Sequence, residues 1–153
     1  MKKLLATQPD LAATMARLGL GLFMLPHGLQ KAFGLFGGHG IEGTVGFMGS
    51  QLGIPPAMAY LAIAAEFLGG LGLVVGLLSR VAAFGNVVVL AVAALSVHSG
   101  SFFVGTPGGG WALHFLGIVL GLIVLIRGGG TASIDLALSR AEPEPKGSVL
   151  TVR

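Results

Sequence analysis

In the stretch "FMLPHGLQKAFGLF", residues 23–36, an imidazole, an amide and an ammonium group (His27, Gln30 and Lys31) interrupt an apolar run. Read as a helix turning about 100° per residue, Arg17, Met24, His27, Gly28 and Lys31 share one face roughly 100° wide. Such groups can donate hydrogen bonds to a carbonyl oxygen and exchange protons with it. Three more ionisable groups sit in apolar surroundings: Glu66 in "LAIAAEFLGG", His98 in "LSVHSG" and His114 in "WALHFLG". Imidazoles and a carboxylate also bind metals. His27, His98, His114 and Glu66 are therefore a candidate zinc or copper sphere, and His98 with His114 a candidate axial haem pair.

The elements that must position these groups are set by composition. The 153 residues are 54% hydrophobic and only 10% charged, with a mean hydropathy of +0.90, which leaves too little polar surface for a water-soluble globule. The lipid bilayer is the expected solvent. A spanning helix takes about 20 apolar residues, and stretches at about 12–36, 56–78, 81–101 and 111–127 qualify. The expected fold is all-α: a single domain over 1–153, an integral membrane four-helix bundle with every site between helices or at their ends. The start, "MKKLLATQPD", has no apolar run before Asp10 and no small-residue cleavage site follows, so the first span reads as an anchor.

Four crossings put Lys2, Lys3, Arg80, Arg127, Arg140, Lys146 and Arg153 on one side, while His39 and Glu42 fall on the other. The positive-inside rule then makes both termini cytoplasmic, in a multi-pass protein of the cell inner membrane. At 1.5 Å per residue, with the first midplane near Met24, His27 lies about 5 Å and Lys31 about 10 Å toward the outer side. Glu66 falls at the centre of the second span, and His98 and His114 lie roughly 7–10 Å above it. All five share the outer half. A lone charge at mid-bilayer costs at least about 2.5–3.5 kcal/mol, so Glu66 must be protonated or paired, with His27 or Lys31 nearest in depth. Arg17 reads as a snorkelling anchor or an inward salt bridge. Asn86 reads as a helix-to-helix hydrogen bond, and the Gly72-xxx-Gly76 and Gly117-xxx-Gly121 pairs as close-packing sites.

Other signals exclude functions. Cysteine is absent, which removes thiolate and disulfide chemistry by this chain. "GHGIEG" fits a dinucleotide-binding glycine pattern in letters only, since no βαβ unit surrounds it, and "GTPGGG" lacks the Lys and Ser/Thr of a phosphate loop. The basic residues flank membrane spans, which argues against nucleic acid. After the "GGG" at 128–130, "TASIDLALSR" reads as a short amphipathic interfacial helix capped by Thr131 or Ser133, with Ile134, Ala137 and Leu138 on one face. Residues 141–153 read as a disordered tail.

The pieces "RLGLGLFMLPHGLQKAFGLFGGHGIEGTVGFM", "LGIPPAMAYLAIAAEFLGGLGLVVGLLSRVAA", "VHSGSFF" and "SID" occur in an order that resembles the DoxX family of small four-helix membrane proteins, over about residues 15–138. The resemblance implies a four-helix membrane bundle and ties to thiosulfate:quinone oxidoreductase and to oxidative-stress complexes with partner enzymes. Its matching positions are Arg17, His27, Lys31, Glu66 and His98. Many relatives carry Glu after the aromatic residue that opens the fourth helix. Here Ala112 follows Trp111, with His114 two residues on, which implies a variant site or a non-catalytic subunit.

Three readings stand side by side. One is a redox-associated subunit whose pocket of His27, Lys31, Glu66, His98 and His114, with Arg17 and Gln30 as additional members, takes a quinone headgroup while a partner supplies electrons. A second is the metal or haem site. The third is a structural or assembly subunit whose polar groups bind helices together, in a homo-oligomer or a larger membrane complex.

Overall fold

The computed structural model describes residues 5–105 and 109–141, and among them every regular element is helical. The helices are α1 (Leu11–Phe33), α2 (Gly40–Leu52), α3 (Pro56–Val75), α4 (Ser79–Ser96), α5 (Ala112–Arg127) and α6 (Ile134–Ala141), with a 3-10 turn at Leu35–Gly37. Of the expected tail, 142–153 fall outside the described residues, as do Lys2, Lys3, Lys146 and Arg153, and Ala141 is the last residue of α6.

Local chemistry explains the boundaries. Asp10 caps α1, its Oδ1 accepting from the Ala13 amide at 3.0 Å, and Gly34 ends the helix in the left-handed region with φ 71°. Proline in the first turn opens α3, and Gly76 closes it with φ 74°. Gly76 is therefore a helix cap and does not form a mid-helix packing pair with Gly72. The glycines at 117 and 121 do permit close packing: added Cβ atoms would meet Leu90 and Val87 of α4. The segment 37–55, expected as a loop, contains α2. Gly40, Gly43, Gly46 and Gly49 lower its helix propensity by about 1 kcal/mol each relative to alanine, which hides it from a propensity reading. The four expected spans end or begin one to five residues short at Phe33, Val75, Ser96 and Ala112, while the first and third start one and two residues earlier than expected, at Leu11 and Ser79.

Packing is sequential and closes on itself: α1 lies most extensively against α3, α3 against α4, α4 against α5, and α5 returns to α1. The shared core is thin, with Ala16, Leu20, Met24, Leu73, Ala83, Leu90 and Val124 at its centre. Large apolar side chains instead cover the outside, among them Leu22, Leu61, Phe84, Leu95 and Ile126. Two helices, α3 and α4, are long and apolar enough to cross a membrane, and only 28% and 22% of their apolar windows are buried inside the protein. A core helix of a water-soluble protein would be mostly covered, so these helices turn their apolar surface outward. The apolar helix α5 is shorter, with 16 residues, and α1 is made more polar by Arg17, His27, Gln30 and Lys31.

Candidate functional site

The site starts from a close approach of two backbones. Where Gly28 of α1 faces α3, an added Cβ would run into the backbone of Glu66 and Phe67. Two turns earlier in α1 the same seam brings Gly21 against Leu73 and Val74, and Gly70 of α3 meets Leu25. These contacts leave Lys31, nearly one turn beyond Gly28, beside Glu66. The Lys31 ammonium donates to Glu66 Oε1 in a salt bridge, with the carboxylate side chain 2% exposed and the lysine side chain 27%. Of the two partners expected for Glu66, Lys31 is the one present. Glu66 Oε2 is buried and has no hydrogen-bond partner among the described residues. One oxygen of the carboxylate is thus satisfied and the other is left with acceptor capacity.

The histidines surround this pair in part. The His98 and His114 rings lie with centroids 4.5 Å apart, at the end of α4 and the start of α5. His114 is within electrostatic range of His98, His27 and Lys31. His27 is exposed. Its Nδ1 lies 2.9 Å from the Phe23 carbonyl, which makes that nitrogen the donor and leaves Nε2 as an acceptor when the ring is neutral. Gln30 turns its amide to the Phe36 carbonyl, supporting the turn after α1.

Lys31 also faces outward, into a groove of about 1220 Å³ between α2, α3 and α4. Gln30, Lys31, His39 and His98 line its polar end, and Met48, Leu61, Leu68 and Val88 are among its apolar walls. Sequence reasoning found Lys31 and His98 but missed the groove, because one of its walls is the unexpected helix α2. His39, given no role from sequence, belongs to the lining.

The metal reading does not match this arrangement. Among the described residues no three His, Cys, Asp or Glu side chains gather as a metal-holding group, so His27, His98, His114 and Glu66 do not form one sphere. Axial haem ligation fails on spacing. Two imidazoles bonded at about 2.0 Å on opposite sides of a metal have centroids about 6 Å apart, and those of His98 and His114 are 4.5 Å apart.

Arg17 belongs elsewhere. It is 0% exposed, which overturns the snorkelling expectation. Its Nε donates to the Gly129 carbonyl at 2.7 Å, Nη1 to the carbonyls of Leu73 and Val74, and Nη2 to that of Ala132. Beside it Asp135, 1% exposed, accepts from the Leu78 and Ser79 amides at 2.8 Å each. Leu78 holds a left-handed φ of 50°, and the distant carboxylate supplies the cap that α4 lacks locally. Ser133, one of the two expected caps of α6, accepts from the Leu136 amide at 3.1 Å. Asn86 bonds the Ala65 carbonyl of α3 at 3.0 Å, as a helix-to-helix hydrogen bond should.

An all-helical protein with outward-facing apolar helices and one half-satisfied buried carboxylate defines a small membrane-type helical class. The chain belongs to the DoxX family, whose model matches residues 12–99. That match takes in Arg17, His27, Lys31, Glu66 and His98, while His114 and Asp135 lie beyond it. The protein named "Putative oxidoreductase CatD" of Bacillus subtilis (strain 168) is 35% identical over 72 residues, which is 47% of this chain and 48% of that relative. The chain thus spans about half the length of that curated relative. No solved structure matches the chain.

Proposed function

We propose that this DoxX protein is a four-helix, multi-pass protein of the cell inner membrane, with both termini cytoplasmic and α6 at the interface, and that it serves as a redox-associated subunit binding a quinone-like amphiphile. The observation that carries the reading is Lys31: it stands at the polar end of an apolar groove while a buried, half-satisfied carboxylate holds it from behind. The mostly apolar walls of the groove suit an apolar tail, and a pocket of this kind fixes its ligand through few polar contacts. The Lys31 ammonium donates to a headgroup carbonyl oxygen. Reduction of a quinone to a quinol takes two electrons and two protons. The electrons come from a partner oxidoreductase, since the chain has no flavin, haem or iron–sulfur attachment motif. Lys31 delivers one proton and recovers it through Glu66, and the His98–His114 pair lies in range to relay the other. The name of the Bacillus subtilis relative supports an oxidoreductase setting.

The test is titration of a quinone analogue into the full chain in mild detergent. Lys31→Met and Glu66→Gln are each expected to weaken binding by about tenfold or more, the scale of one charge-assisted hydrogen bond. Ser139→Ala, at the opposite end, should leave it unchanged. Equal affinity in all four proteins would remove the reading.

A further inference from the structure

Three guanidinium groups converge at the end of the molecule away from Lys31. Arg80 at the start of α4, Arg127 at the end of α5 and Arg140 in α6 line one cavity of about 730 Å³, completed by the segment 6–10 and by Ile126. Arg80 is fixed in place: Nε donates to the Leu125 carbonyl at 3.0 Å, Nη1 to that of Ala6 at 2.7 Å and Nη2 to that of Ile126 at 3.1 Å. Arg127 Nε donates to Asp10 Oδ2 at 2.9 Å. Among the described residues that line the cavity, three are arginines and one, Asp10, is a carboxylate. A predominantly basic lining of this kind favours an anionic ligand.

The cavity wall says what kind of anion. Ile126 lines it and is 74% exposed, and Leu122, one turn earlier on α5, is exposed as well. The basic cavity therefore opens directly onto an apolar helix surface, the pairing of chemistries that a phospholipid presents in reverse.

We propose that this cavity binds the phosphodiester headgroup of an anionic phospholipid, whose acyl chains lie along Leu122 and Ile126. The site rests on the membrane-spanning reading of the chain and not on any ligand of the Lys31 groove. Asp10 competes with the phosphate for Arg127, so the bound headgroup and the Asp10 bridge trade places on one guanidinium.

The experiment is lipid binding to the full chain in a non-ionic detergent, followed by native mass spectrometry, with phosphatidylglycerol, phosphatidylcholine and inorganic phosphate as separate probes. Phosphatidylglycerol should be retained and phosphatidylcholine lost. Arg127→Gln with Arg140→Gln should lower the phosphatidylglycerol affinity by about 25-fold, near fivefold for each arginine at a membrane surface. Asp10→Asn keeps the helix cap, because asparagine caps as well as aspartate, and should raise the affinity several-fold. Misfolding cannot produce that gain, so the pair of variants separates a lost site from a lost fold. Equal retention of the two lipids, or no change in affinity for either the arginine double variant or Asp10→Asn, overturns the proposal. Inorganic phosphate that competes with phosphatidylglycerol at equal affinity overturns it too, by assigning the cavity to a free anion.

Discussion

Two buried charge systems at opposite ends of α1 follow opposite rules. At one end Arg17 spends its guanidinium on four carbonyls, and Asp135 spends both oxygens on amides. At the other, Glu66 keeps one oxygen without a partner and Lys31 stays partly open to a groove. A saturated buried ion has nothing left to offer a ligand, and its effect is to fix the chain around it. An unsaturated one is less stabilising and stays available for chemistry. Both were candidate site residues in the sequence, where an arginine and a glutamate inside apolar helices look alike.

The largest expected effect tests the saturated end. Arg17→Met strips four carbonyls of their donor and leaves Asp135 without its neighbouring cation, which should cost more than about 4 kcal/mol. Arg17→Lys should recover only part, because a point ammonium cannot reach four carbonyls on two segments at once. Melting in mild detergent gives the ranking, and an Arg17→Met protein no less stable than Glu66→Leu would reverse the comparison.

The next effect tests the unsaturated end. Glu66→Leu leaves Lys31 unpaired at a cost of roughly 2–4 kcal/mol, below the value for a fully enclosed pair because Lys31 reaches solvent. Glu66→Gln should cost less, and Glu66→Leu combined with Lys31→Met should recover part of the loss. Strict additivity in that cycle would separate the two residues energetically.

The smallest effect is at Asp10. Its bond from the Ala13 amide, and after that the Arg127 charge, hold its carboxyl below the ordinary carboxylate value. A lowered pKa contributes stability at pH above the ordinary value and loses it as pH falls through the folded one. Asp10→Asn should therefore lower neutral-pH stability slightly and flatten the acid limb of a detergent melting curve by the same small amount. An unaltered acid limb would show that Asp10 adds nothing to it.

Much of the helical layout was legible. Apolar runs between glycine and proline punctuation marked α1, α3, α4 and α5 to within a few residues, and depth counting along them left His27 or Lys31 as the partner of Glu66, of which Lys31 is the one present. Helix α2 was not legible because four glycines mask it, and with it went the groove. Arg17 was misread because a snorkelling arginine and a carbonyl-saturated one have the same sequence neighbourhood. What distinguishes them is the return of residues 129–135 onto the start of α1 and the end of α3, a contact more than 110 positions away in sequence. Asp135 carries no signal in the sequence, since a cap supplied across the fold leaves no local pattern.

The contact at Gly28 has a consequence in conformational entropy. A lysine in a loose setting samples many rotamers, and ordering it when a ligand arrives costs about 0.5–1.5 kcal/mol of binding free energy. Here the backbone of α1 lies directly on that of α3, so the Lys31 side chain is confined against Glu66 as soon as the helices pack. The ordering cost falls on folding and not on association. A bulkier residue at position 28 would push the helices apart, let Lys31 wander, and return that cost to each binding event.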